Sequence, residues 1–192
     1  MARPQPPPDA LLLVALFGSH RAALDWGRQR VAESWGPIGL ASPIWSHTET
    51  AYYHQTMGQP LEKQLLVLAE PFLVTELVQR KLQSNAWEEE LARGGSFSVP
   101  RPINIDPGYL TLHKVVLASA KDRAHRVYLD RGIYAEPCLR FADGKWHPWP
   151  WTYPDYRRDD YHAFFTSARK LLKAWRRTHR SDSRGDDVCS DG

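Results

Sequence analysis

In this 192-residue chain the segment HRVYLDRGIYAE (125–136) brings Arg, Tyr and Glu side chains together in two alternating runs. Two alternating runs flank Asp130-Arg131-Gly132, which reads as a three-residue turn with glycine where positive φ is needed. In that register Leu129 faces Ile133, Tyr128 faces Tyr134 and Arg126 faces Glu136. Alternation then places Arg126, Tyr128, Tyr134 and Glu136 on one face. Val127, Leu129, Ile133 and Ala135 take the other face, towards the core. A guanidinium beside a carboxylate and two phenols suits gripping a phosphate or carboxylate and moving a proton. The same residues also fit a plain cross-strand ion pair with stacked tyrosines, contributing ~0.2–1 kcal/mol.

Three further stretches carry candidate groups. Asp106-Pro107-Gly108 reads as a turn between short strands, with Asn104 and Tyr109 beside it. Asp106 there is a candidate base, or else an acceptor for its own turn's N–H groups. Lys121, His125 and Arg126 lie close together after a strand, where three donors can surround a phosphate; a solvated turn is the plainer alternative. WHPWPWTYPDY (146–156) holds five aromatic residues and three prolines. Trp151 and Tyr153 can stack on a base or sugar, with Asp155 as the polar candidate, or the segment is a rigid flap on a sheet. Lys81, Asn85 and Glu88 share one face of a helix at i, i+4 and i+7, which also suits a solvated flank.

Several chemistries find no support. No GxxxxGK[ST] loop is present to wrap phosphates, and no GxSxG elbow. Eight histidines occur, none at HxH or HxxxH spacing, so no metal site is expected. The two cysteines, Cys138 and Cys189, lack a CxxC partner and read as free thiols of a reducing compartment. No cofactor is indicated.

The elements that must position these groups are α/β in pattern. Leu11–Phe17 is a short apolar strand, followed by a helix over 21–35 that Gly36-Pro37 ends. Ile38–Trp45 is a weaker strand, and Leu65–Leu68 is a third, closed by Pro71. A helix over 73–93 presents Leu73, Leu77, Val78, Leu82 and Leu91, and stops at Gly94-Gly95. Ile103–Ile105 and Val115–Ala118 are short strands, then comes the hairpin, then an amphipathic helix over 160–179. That helix carries Phe164, Phe165, Ala168, Leu171, Leu172 and Trp175 as its stripe. The first part runs β-α-β-β-α-β, the order of a ferredoxin-like sheet, extended by an antiparallel hairpin and a C-terminal helix. Residues 1–10 are expected to be a disordered proline-rich lead-in, 11–180 one globular domain, and 181–192 a disordered acidic tail.

Net charge is +3, unevenly spread. The eight Lys/Arg of 157–180 outnumber two Asp, whereas 181–192 holds four Asp and one Arg. The basicity is local to one helix. The longest apolar run, Leu11–Phe17, falls far short of the ~20 residues of a membrane span. The expectation is a cytoplasmic protein with no membrane association.

NIDPGYL (104–110), HRVYLDRGIYAE (125–136) and WTYPDY (151–156) resemble the signature blocks of the domain of unknown function 4416 family. TAYYHQTMG (50–58), KLQSNAWEEELA (81–92) and Phe164-Phe165 with Arg169 are similar to further blocks. The resemblance spans about residues 11–175 and implies kinship with uncharacterised prokaryotic proteins, without an assigned activity or cofactor. The chain departs from the pattern at Thr56, where an acidic residue is usual, at Lys63, where Arg is expected, and at Ser84, in place of Thr.

The functional expectation is an enzyme or binding protein for a small anionic, phosphorylated or nucleotide-like ligand. Its catalytic candidates are Asp106, His125 and Glu136. Its ligand-binding candidates are Asn104, Tyr109, Lys121, Arg126, Tyr134, Trp151, Tyr153 and Asp155. Two alternatives stand beside it: a nucleic-acid or RNA-associated module using the basic helix, and a partner-binding protein anchored by Trp146, Trp149 and Trp151.

Overall fold

The computed structural model describes residues 3–49 and 53–182, and the side chains of all these except 180–182. Part of the 50–58 block, most of the acidic tail and Cys189 lie outside the described residues. The described chain is a mixed α/β fold with a nine-stranded antiparallel sheet and four α-helices.

The strands are β1 (Ala10–Gly18), β2 (Ile38–Ala41), β3 (Trp45–Ser46), β4 (Glu62–Phe72), β5 (Asn104–Leu110), β6 (Lys114–Ser119), β7 (Val127–Asp130), β8 (Ile133–Ala142) and β9 (Lys145–Pro148). The helices are α1 (Arg21–Trp35), α2 (His54–Met57), α3 (Leu77–Arg93) and α4 (Asp159–Asp182). The order across the sheet is β2-β4-β1-β5-β6-β8-β7, with β3 on β4 and β9 on β8. The sheet is thus larger than the four strands of the expected core. Among the described residues no helix is long and apolar enough to cross a membrane.

β1 is apolar at every position because both faces of the sheet are covered. Leu12, Val14 and Leu16 pack with Ala23, Leu24 and Val31 of α1 and Trp87 of α3. Leu11, Leu13 and Ala15 turn the other way, to Phe165, Ala168 and Leu172 of α4. Each such fully buried leucine contributes roughly 1.5–3 kcal/mol. Cys138 is sealed in the α4-side core.

Several local expectations are overturned, each for a tertiary reason. Ile38–Trp45 is two strands, interrupted around Ser42-Pro43. Pro71 does not close its strand, which runs on to Phe72 opposite Ala10. A register shift in β1 between Leu11 and Leu13, and the end of β2 opposite Leu68, leave room for a residue without an N–H. Leu73 is exposed, ahead of a 3-10 turn that precedes α3, and is no part of a helical stripe. Trp146 lies on β9 in the core and is 4% exposed, so it cannot anchor a partner.

The hairpin also differs. Asp130 pairs with Ile133, so the turn has two residues, Arg131 and Gly132, with φ of 47° and 76°. Two consecutive positive φ values are the signature of the tight hairpin turn that matches strand twist. The surplus residue becomes a bulge at Leu129. β7 is the outermost strand, so Val127 and Leu129 are exposed, not core residues. Tyr128 does oppose Tyr134.

The correction that matters most concerns Asp106-Pro107-Gly108. It is not a turn; it lies inside β5, paired along its length with β1, with Ala15 opposite Asp106 and Leu13 opposite Gly108. Pairing with β6 starts at Leu110–Val115 and ends at Gly108–Leu117. Pro107 has no N–H to continue that ladder. At Gly108 a Cβ would stand 2.2 Å from the carbonyl oxygen of Val116, so only glycine lets the strands approach there. Beyond this point β5 and β6 separate, and the sheet is split.

Candidate functional site: a charged cleft where the sheet splits

The split leaves the backbone of Ile105 without a strand neighbour on the β6 side. α3 supplies the partners instead: the Ile105 N–H donates to Glu88 Oε1 at 2.7 Å, and Lys81 Nζ donates to the Ile105 carbonyl at 3.2 Å. Lys81 continues to Asp106 Oδ1 at 2.7 Å, and the Asn104 amide donates to Asp106 Oδ2 at 2.6 Å. Arg101 joins Glu88 Oε2 at 2.7 Å and also reaches Asn104. Lys81, Asn85 and Glu88 therefore form no solvated flank; Lys81 and Glu88 are buried. Burial opposes ionisation of Asp106, but the Lys81 ammonium and the Asn104 amide outweigh it and hold the carboxyl below its ordinary value. Glu88 moves the other way, upward, because its burial exceeds the pull of Lys81 and Arg101.

The floor is built on β4. Lys63 sits between the rings of Phe17 and Tyr156, 5.6 and 4.9 Å from their centroids, and donates to Asp155 Oδ2 at 2.5 Å. His47 Nδ1 lies 3.2 Å from Glu49 and 3.8 Å from Asp155. Burial first, then the Lys63 charge, lower the His47 pKa, which keeps the ring neutral near neutrality. Asp155 is buried, which raises its pKa, yet Lys63 and His47 together bring it below the ordinary value.

The far wall belongs to β6, β8 and the segment after β6. Glu136 is buried on β8, and Arg126 Nε donates to its Oε2 at 2.7 Å. Arg126 also donates to Ser119 Oγ at 2.8 Å, the Lys121 carbonyl at 2.7 Å and Tyr153 Oη at 2.8 Å. Tyr153 in turn donates to Glu136 at 3.2 Å. Burial, then the Glu136 charge, push the Tyr153 pKa up, so the phenol stays protonated.

These walls enclose about 420 Å³. Of the residues singled out in the sequence, Asn104, Asp106, Lys121, Arg126, Glu136, Tyr153 and Asp155 line this space. Four others do not. His125 stacks on Trp151 at 5.3 Å, with Nε2 3.4 Å from Glu136 Oε1 behind the wall. Trp151 stacks on both His125 and Trp149, the latter 5.4 Å away, and does not line the cleft. Tyr134 meets Tyr128 edge-on at the outer hairpin. Tyr109 alternates away from Asp106 and packs against Leu77 and Ile133.

Sequence reasoning missed His47, Lys63, Arg101 and Tyr156 as lining residues. Lys63 left one signal: a lysine inside the apolar run EKQLLVLA, at a position where the family pattern is also basic. His47 and Arg101 left none.

Fold and site together define a mixed α/β protein whose antiparallel sheet opens into a cleft of paired charges. A family model described as domain of unknown function (DUF4416) matches residues 7–172, and the chain belongs to that family. No curated protein and no solved structure matches it.

Proposed function

We propose that the cleft binds a small anionic ligand, phosphorylated or nucleotide-like. The observation that carries this is the lining: six Lys and Arg side chains, from β4, α3, the approach to β5 and the segment after β6, face four carboxylates. Buried ion pairs are poor stabilisers, because desolvation offsets their attraction. Three such pairs opening on one cavity are therefore better explained by a ligand than by stability. The volume falls in the range of small-molecule sites. Asp106, Glu136 and Asp155 serve to orient cations, and neutral His47 is the group suited to taking a proton. The strand order β2-β4-β1-β5, with α1 and α3 as the connections, supports a ferredoxin-like reading of the first half, onto which β6–β9 are added.

The test is a thermal-shift series on the full chain with inorganic phosphate, sugar phosphates and nucleotides, each beside its uncharged analogue. A ligand of the native state raises apparent stability by mass action. The charged members should raise the melting temperature and the neutral ones should not. Arg126→Lys, which keeps the charge but loses the fork, should diminish the shift. Equal behaviour of charged and neutral compounds would end the reading.

A second reading rests on α4, whose solvent face exposes Lys170, Lys173 and Arg177. It is a nucleic-acid contact, and its mark is affinity that falls steeply with salt. No RNA or DNA binding at low salt removes it.

A further inference from the structure

The cations of the cleft are not evenly matched along it. On the β5 wall Lys81 and Arg101 face Asp106 and Glu88, two charges against two, all within ion-pair or hydrogen-bond distance. On the opposite wall Arg123 and Arg126 line the cleft beside a single lining carboxylate, Glu136. Arg126 is committed to that carboxylate. Arg123 is exposed, forms no ion pair among the described residues, and its guanidinium makes only a 3.4 Å contact with the Asp122 carbonyl. Positive charge is thus in excess in the lining at one end, since Asp122 of the same segment does not line the cleft.

The neutral end has a different feature. Asn85 projects from α3 one turn beyond Lys81, half-buried, and lines the cleft. Its amide has no hydrogen-bond partner among the described residues, whereas its neighbours Lys81, Asn104 and Asp106 are all engaged with one another. An amide offers two donors and an acceptor. It recognises a neutral polar group and contributes nothing specific to a phosphate already gripped by arginine.

Resting on the anion reading above, we infer that the cleft takes a phosphate monoester of a sugar or nucleoside, oriented in one direction. The phosphate lies against the segment 119–126, where Arg123 adds charge beyond what Glu136 neutralises. The neutral hydroxyl- or amide-bearing body lies over the β5 wall, where Asn85 pairs with it. A ligand with anionic groups at both ends does not match this layout, since the β5 wall is already balanced by Asp106 and Glu88.

The experiment is calorimetric titration of the full chain with inorganic phosphate, ribose 5-phosphate, adenosine 5′-monophosphate and fructose 1,6-bisphosphate. It compares the native protein with Asn85→Ala and Arg123→Ala. Both variants are expected to fold: alanine is favoured within a helix, and Arg123 is exposed. At least one monoester should bind more tightly than phosphate and than the bisphosphate. Asn85→Ala should weaken that monoester about tenfold, one hydrogen bond's worth, and leave phosphate unchanged. Arg123→Ala should weaken both, by about tenfold or more. If Asn85→Ala weakens phosphate and monoester equally, or weakens neither, the orientation is wrong while the anion site stands. The bisphosphate binding tightest has the same consequence. If nothing in the set binds, the orientation and the anion site fall together.

Discussion

The two walls of the cleft use the same residue types to opposite ends. On the β5 wall, Lys81 and Glu88 are buried, and together with Arg101, Asn104 and Asp106 they are joined to one another or to the Ile105 backbone. Lys81 and Glu88 replace a missing strand, closing the backbone of Ile105 where the ladder to β6 has ended at Gly108. On the other wall, Arg123 is exposed and forms no ion pair among the described residues, beside Arg126, which is held in place by four acceptors. The contrast teaches that charge in a cleft is no single signal. A buried, fully paired cation maintains the shape of the cleft, whereas an exposed one outside any ion pair leaves that shape unchanged when it is removed.

The comparison predicts the largest loss of stability on the β5 wall. Lys81→Met leaves Asp106 and the Ile105 carbonyl without their donor. Removing one member of a buried pair costs about 3–5 kcal/mol, and urea unfolding should show a loss of that size. A loss below about 1 kcal/mol would mean that the wall is not held as described. Gly108→Ala comes next. Its Cβ would press on the Val116 carbonyl, and the strands must part, for a loss of about 1–3 kcal/mol in the same measurement.

A smaller effect separates the floor from the open wall by pH. Asp155 and Asp106 have folded-state pKa values below the ordinary 3.8. The unfolded chain therefore binds these protons first as pH falls. Their stabilisation is complete well above pH 4 and is lost as the pH drops through and below it. Urea unfolding between pH 3 and pH 7 should show this acid limb. In Asp155→Asn the limb should be shallower, from a lower starting stability, because Lys63 is left buried without its partner. An unchanged limb would show that Asp155 is not depressed. The smallest effect belongs to Arg123→Ala, whose unfolding free energy should stay within about 0.5 kcal/mol of the native protein's while anion binding drops.

Much of the local structure was legible in the chain itself. The apolar run from Leu11 announces a strand buried on both faces, and the helix over 21–35 appears with those bounds as α1. The stripe of α4 lies against the sheet from Phe164 to Leu172, while Trp175 beyond it stacks on His179. The Arg126–Glu136 pair follows from strand alternation, although the turn beside it has two residues and not three. These features depend on periodicity and on near neighbours, which sequence spacing encodes directly.

What tertiary structure alone decided was the cleft. Asp-Pro-Gly has the composition of a turn, yet here β1 holds it extended, because pairing along all of β5 outweighs a local preference. Lys81 and Ile105 are 24 residues apart, and Lys63 and Asp155 are 92 apart. Nothing in the spacing of such residues tells which of them will meet. The chain fixes which charges it carries and the period at which they recur. Only the assembled sheet, in which the β5–β6 ladder makes its last pair at Gly108 and goes no further past Pro107, decides which of them share a cavity and which point away from it.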